Sequence, residues 1–260
     1  FGTFLFLCAF SGLYYVLIFF QKNEIKNFNL IEKIKSKIFF LRIFIIFLSI
    51  GILTTWSRIA NFSYVLILFS FLFYSRISFK KFINPLSTII IFILIFDVFV
   101  MAIFFGNAKL IERVAETSIL GEAARFDLQT FGWSQFKNFW LFGYGSGGFG
   151  QVFKNFYIIP ENTNINYLAN RVHNDGIELL GEVGVLGISI ITLLFISYFK
   201  KIIKDINEKK QLARFTILIQ LILILFIQSL VDFSLHTPGI TVLLITILSM
   251  GLINFQNKKI

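Results

Sequence analysis

Seven stretches of this chain are apolar for close to the length that crosses a bilayer, and no other feature restricts its fold as strongly. They run at Gly2–Phe20, Ile38–Trp56, Ile59–Tyr74, Leu86–Phe105, Val185–Phe199, Phe215–Leu235 and Ile240–Phe255. A helix needs roughly 20 apolar residues to cross the hydrocarbon core, because each residue adds only about 1.5 Å. A soluble domain of 260 residues could not hide a 57% hydrophobic composition, with mean hydropathy +0.80, inside one core. Lipid is therefore the solvent of these segments. The expected fold is an all-α, polytopic transmembrane helix bundle of about seven spans.

Charge sets the expected orientation. Segments 21–42, 76–81, 200–214 and 256–260 carry 17 of the 24 basic residues and should be cytoplasmic. The opposite side holds only Arg58, Lys109, Arg113, Arg125, Lys137, Lys154 and Arg171, together with most of the acids. The net charge of +10 is thus a positive-inside signal and not a nucleic-acid footprint. One cysteine, Cys8, excludes an internal disulfide and a cysteine-based metal site. The opening FGTFLFLCAF has neither Met nor a basic n-region, so the chain is expected to be incomplete at its N-terminus.

Residues 1–260 are read as a single transmembrane domain, with residues 106–182 inserted as a long loop between the fourth and fifth spans. A structureless loop of that length would be unusual, so it is expected to fold onto the outer membrane face. Helices are predicted at Lys109–Ser118 and Glu122–Trp140. The second sets Leu128, Phe131, Phe136, Phe139 and Trp140 on one arc, opposite Asp127, Ser134, Lys137 and Asn138. Trp133, Trp140 and Tyr144 suit the membrane interface.

Arg125 projects into the middle of that apolar arc, near Gly132. It either snorkels to water and pairs with an acid such as Glu122, or it serves an anionic ligand. The turn GYGSGGFG, residues 143–150, lacks the Gly-Lys-Ser/Thr ending of a P-loop and any preceding strand. A flexible turn is the first reading, with Gly145 and Gly147 offering a backbone nest for an anionic head group as the second.

In RVHNDGIELLGEVGVLG, residues 171–187, Asn174 or Asp175 can cap a helix that has Glu178 in its first turn. Arg171 and His173 then stand at a helix N-terminus, where the dipole attracts anions and favours a neutral imidazole able to accept a proton. Arg58 ends a span at the outer surface, as an anchor or as part of a site. Asp97 lies within a span and needs a partner, for which Arg42 is a candidate. Asp232 and His236, four residues apart, read as a pair terminating the sixth span. The two histidines are far apart in sequence and no HExxH is present, so no metal site and no cofactor are expected.

Taken in order, these pieces resemble the superfamily of O-antigen ligases and polymerases. The resemblance rests on Ser57-Arg58, on Ala-Arg125 followed by an aromatic helix and FGYGSGGFG, and on SLVDFSLHTP at residues 229–238. Its most specific part is His173-Asn174, nine residues, then Gly184-x-x-Gly187, similar to the H-N-x9-G-x-x-G pattern of the ligases. It implies transfer of a glycan from a polyprenyl-diphosphate donor to a glycolipid or protein acceptor at the periplasmic face of the bacterial inner membrane, without metal or nucleotide sugar. By the same resemblance Arg58 and Arg125 hold the diphosphate and His173 activates the acceptor; the helix N-terminus and the glycine nest add Arg171, Asn174, Gly145 and Gly147 as expected substrate contacts. Related alternatives are an O-antigen polymerase and a protein O-oligosaccharyltransferase. A non-enzyme alternative is a transporter or flippase for the same lipid, which would call for paired discontinuous spans.

Overall fold

The structure, a computed structural model, describes residues 1–22, 37–55, 57–79, 84, 86–99, 119–157, 169–204, 206, 209–232 and 234–256. Among the described residues the chain is helical, with no strand. Its helices are α1 (Gly2–Lys22), α2 (Lys37–Thr54), α3 (Arg58–Phe79), α4 (Leu86–Phe99), α5 (Ile119–Asn138), α6 (Phe149–Phe156), α7 (Asp175–Lys204), α8 (Lys209–Ser229) and α9 (Pro238–Gln256). A short 3-10 turn, Ser234–His236, lies between α8 and α9. Three segments, Gly2–Phe20, Arg58–Ile77 and Asp175–Lys204, are long and apolar enough to cross a membrane; Phe39–Thr54, Leu86–Phe99, Arg214–Ser229 and Pro238–Met250 are apolar but shorter. The expected helix Lys109–Ser118 lies outside the described residues, as does the Glu122 side chain.

The chain divides into two compact units, one of Phe1–Glu112, Lys204–Phe226 and Pro238–Ile260, the other of Arg113–Ile203 and Ile227–Thr237. In the first, α1 packs against α2, α3 and α9. Helix α3 shows the pattern of a lipid-facing helix: Ala60, Tyr64, Ile67, Leu68 and Phe71 form its buried face, yet Phe62, Val65, Phe69 and Phe73 on the other face are exposed and equally apolar. Two hydrophobic faces, only one of them covered by protein, leave the other to lipid.

Two buried polar residues of this unit, Asn84 and Asp97, have hydrogen-bond partners that fix their roles. Asn84 caps α4: its side-chain oxygen accepts the N–H groups of Leu86 at 3.1 Å and Ser87 at 2.9 Å, while Ser87 Oγ accepts the N–H of Asn84 at 2.9 Å. Asp97 is buried and receives a hydrogen bond from Ser49 of α2, so its partner is a hydroxyl and not the expected Arg42. Arg42 instead lies over the Phe20 ring, 5.5 Å from its centroid.

The second unit is built on aromatic packing. Leu128, Phe149, Phe153 and Val172 form its core, with Phe131, Tyr144, Tyr157, Ala169 and Ile177 against them. The Phe131 ring meets those of Phe149, Phe153 and Tyr157 edge-on at 6.1, 5.4 and 5.3 Å. The arc expected on α5 holds in part: Leu128 is buried and Phe131 and Phe136 are half-buried, whereas Asp127, Ser134, Lys137 and Asn138 are exposed; the helix ends at Asn138, short of the expected Trp140, and beyond it Phe139 is half-buried and Trp140 exposed. Trp133 and Trp140 are exposed, as an interfacial role requires. Tyr144 differs, because its ring turns inward under Gly181.

Candidate functional site

Helix α7 is two helices in one. At Gly184 the backbone takes φ 63 and ψ −175, a conformation essentially restricted to glycine. Breaking a helix there forfeits two backbone bonds, from Val185 to Gly181 and from Leu186 to Glu182. The glycine-rich turn replaces both. The N–H groups of Tyr144 and Gly145 bond the carbonyls of Gly181 and Glu182 at 2.8 and 3.0 Å, and those of Val185 and Leu186 bond the carbonyls of Trp140 and Leu141 at 2.8 and 3.2 Å. A Cβ on Gly184 would lie 2.4 Å from the Leu141 oxygen, and one on Gly143 (φ 76) would lie 2.2 Å from the Glu182 oxygen. These glycines are therefore required by close backbone approach.

The N-terminal half of α7 starts at the His-Asn pair. Asn174 is the cap: its Oδ1 accepts the Ile177 N–H at 3.1 Å, and its Nδ2 donates to the Leu230 carbonyl at 2.9 Å. Val172 is pinned into the core, where it approaches Gly132 closely. His173 between them has φ 58, the only positive value outside glycine among the described residues. Its carbonyl accepts Gln129 Nε2 of α5 at 3.3 Å. Burial first, then the charge of Arg125, holds the imidazole below its ordinary pKa, against the opposing pull of Asp232 and Glu178. Arg125 itself is exposed and near enough for its charge to be felt at the ring.

Arg171 is drawn into an ion pair with Glu178 at 2.7 Å, and Glu178 also accepts the Val172 N–H at 2.8 Å. Gly147 donates its N–H to Glu182 Oε1 at 2.8 Å, and Gly145 donates to the Glu182 carbonyl. The nest of the glycine turn thus holds a carboxylate of the same chain. Arg58 belongs to the other compact unit. It does not close a span but opens α3, beside the cap residue Ser57, whose Oγ accepts the Ala60 N–H at 3.3 Å.

His236 is arranged differently from its expected pairing with Asp232. Helix α8 ends at Ser229, so Asp232 and His236 do not share a helix face. The ring reaches α7 instead: Nδ1 bonds Asp175, while Nε2 stands 3.4 Å from Glu182 and 3.7 Å from Glu178. Burial would lower its pKa, but the hydrogen bonds to Asp175 and Glu182 and the charges of Glu178 and Asp175 outweigh this and raise it to about 10. Ligand atoms of Glu178, Glu182 and His236 all lie within 4.8 Å of one another, so these three could also hold a metal ion. No sequence spacing announced that set.

A sequence model of the O-antigen ligase family matches residues 43–192. The chain belongs to the O-antigen ligase family. No curated protein and no solved structure matches it. The segment matched to the O-antigen ligase family takes in Arg58, Arg125, the glycine turn, the His173-Asn174 cap and both halves of α7 as far as Thr192; Asp232 and His236 lie beyond it. In this O-antigen ligase family member, reasoning from sequence read Asp175 and Glu178 only as helix-start residues and missed Glu182. Their spacing was a usable signal, since acids at i, i+3 and i+7 share one helix face and in an apolar run require cations opposite them.

Proposed function

We propose that this chain transfers a glycan from a polyprenyl-diphosphate carrier to an acceptor hydroxyl, with the ligases of its family as the nearest activity, at the periplasmic face of a bacterial inner membrane. The observation that carries the reading is His173: a half-buried imidazole in a strained conformation at a helix start, its pKa lowered by burial and by the charge of Arg125. A neutral imidazole accepts the acceptor's proton as that oxygen attacks the anomeric carbon. The bond to the diphosphate breaks with inversion, and the departing polyprenyl diphosphate keeps the electron pair. Arg125 offers guanidinium charge to that leaving group, and the family resemblance proposes Arg58 as a second diphosphate contact. The reading uses no metal and no nucleotide sugar.

The same chemistry serves a polymerase or a protein O-oligosaccharyltransferase, which differ in acceptor. A transporter is favoured less. The break in α7 is single among the described residues, and its four backbone groups bond the glycine turn instead of being left for an ion or solute. Purified protein incubated with polyprenyl-diphosphate oligosaccharide and three acceptors (a lipid A-core glycolipid, a carrier-linked glycan and a pilin-like protein) tests the proposal. Sugar should appear on the glycolipid. No gain by any acceptor, with donor instead moved across vesicles, would replace the enzyme reading with the transporter.

A further inference from the structure

Asp175, Glu178 and Glu182 project from one face of α7, and all three are buried, at 3%, 0% and 3% exposure. Ionised carboxylates in such a place require cations. Arg171 supplies one, to Glu178. His236 faces the other two: its Nδ1 bonds Asp175 and its Nε2 stands 3.4 Å from Glu182 and 3.7 Å from Glu178.

The remaining oxygens of the same acids reach two other segments. Asp175 Oδ2 accepts the Leu235 N–H at 2.8 Å, and Glu182 Oε1 accepts the Gly147 N–H at 2.8 Å. One ring thereby joins the first half of α7, the glycine turn and the segment that follows α8. Two residues before Asp175 stands His173.

We infer that His236 is a positioning residue, a clamp whose ring joins Asp175 to Glu182 and so fixes the glycine turn and the His173-Asn174 cap in one arrangement. With both nitrogens committed to carboxylates, His236 takes no part in proton transfer to substrate. The effect on turnover rests on the transferase reading; the effect on the fold does not.

The test compares His236→Gln with the double variant His236→Gln/Glu182→Gln in full-length, detergent-purified protein. Backbone hydrogen exchange is followed in residues 143–148 and 230–236, and glycan transfer is measured per folded molecule. Glutamine donates from one nitrogen only and turns a carbonyl oxygen toward the second acid, so exchange should accelerate in both segments, and kcat should fall about 10²-fold, the cost of an ångström-scale misplacement of a reacting group. An amide at residue 182 can donate to the carbonyl oxygen that the glutamine at 236 presents, which a carboxylate cannot, and can still accept the Gly147 N–H, so the double variant should recover protection and turnover. If His236→Gln alone does not fold, folding of the double variant carries the same conclusion. Unchanged exchange in both segments, or a double variant no better than the single, would overturn the clamp. Should the wild-type chain transfer no glycan to any acceptor, the functional reading falls while the exchange comparison still decides this inference.

Discussion

The backbone N–H of Val185 bonds the carbonyl of Trp140 at 2.8 Å, so α7 takes one of its own helical hydrogen bonds from a turn that precedes the whole histidine segment. Helix and turn cannot move independently. Anything that displaces the turn exposes backbone groups in α7, and that coupling shapes the mutational response of the site.

Gly184→Ala meets two penalties at once. The residue would hold φ 63 and ψ −175 with a side chain, costing about 1–3 kcal/mol, and its Cβ would fall 2.4 Å from the Leu141 oxygen. The variant should unfold at a clearly lower temperature in detergent than Gly145→Ala, which shares a positive φ, 98, but whose added Cβ meets nothing within 4 Å. Equal melting midpoints for the two would refute this account of the break.

Replacing His173 by alanine should leave a folded protein whose transfer rate is down about 10²- to 10⁴-fold, the usual contribution of a positioned base. Because its pKa is lowered, the acidic limb of the wild-type rate profile should lie below pH 6.5. Steady-state transfer across pH checks both points, and turnover close to wild type would remove His173 from the chemistry.

Arg125 acts on that limb through its charge. Arg125→Gln removes one cause of the lowered His173 pKa, so the acidic limb should move to higher pH. Arg125→Lys keeps the charge and should leave the limb in place, but it loses the bidentate fork and should bind donor more weakly. Superimposable profiles for wild type and Arg125→Gln would exclude the electrostatic contact.

For His236 the stability effect runs the other way. Its pKa in the folded chain, about 10, exceeds the ordinary 6.5, so the folded state binds more protons between those values. The stabilisation is complete below pH 6.5 and is lost as pH rises through about 10. Thermal melts from pH 6 to 10 should therefore decline more steeply for wild type than for His236→Gln, and parallel curves would count against a charged ring.

Much of this fold was legible because hydrophobic runs and helix caps are local. The arc on α5, the span-length segments and the cap at Asn174 follow from residues within a few positions of one another. The partner of Asp97 was not legible, since a lone serine in an apolar span carries no mark. His236 was misread for the same reason: Asp232 is close in sequence, whereas Asp175 and Glu182 reach it only through folding. Gly184 sat inside an apparently continuous apolar helix, and no local pattern distinguishes a glycine that breaks a helix from one tolerated within it.

Orientation is open to a direct check. In a Cys8→Ser background, Lys154→Cys should react with a membrane-impermeant thiol reagent from outside, and Lys22→Cys and Lys204→Cys only after the membrane is opened. Labelling of Lys154→Cys from the cytoplasmic face alone would reverse the topology.

The replacement of helical bonds at Gly184 also bears on how this protein is made. A continuous apolar helix can enter the bilayer as soon as it leaves the ribosome, since every N–H and C=O is satisfied within it. The stretch around Gly184 has no such autonomy, for its missing bonds come from Trp140, Leu141, Tyr144 and Gly145, all synthesised earlier. Insertion of this span and folding of the preceding segment are thereby one event, and a chain stalled between them would present unsatisfied backbone to the quality-control machinery of the membrane.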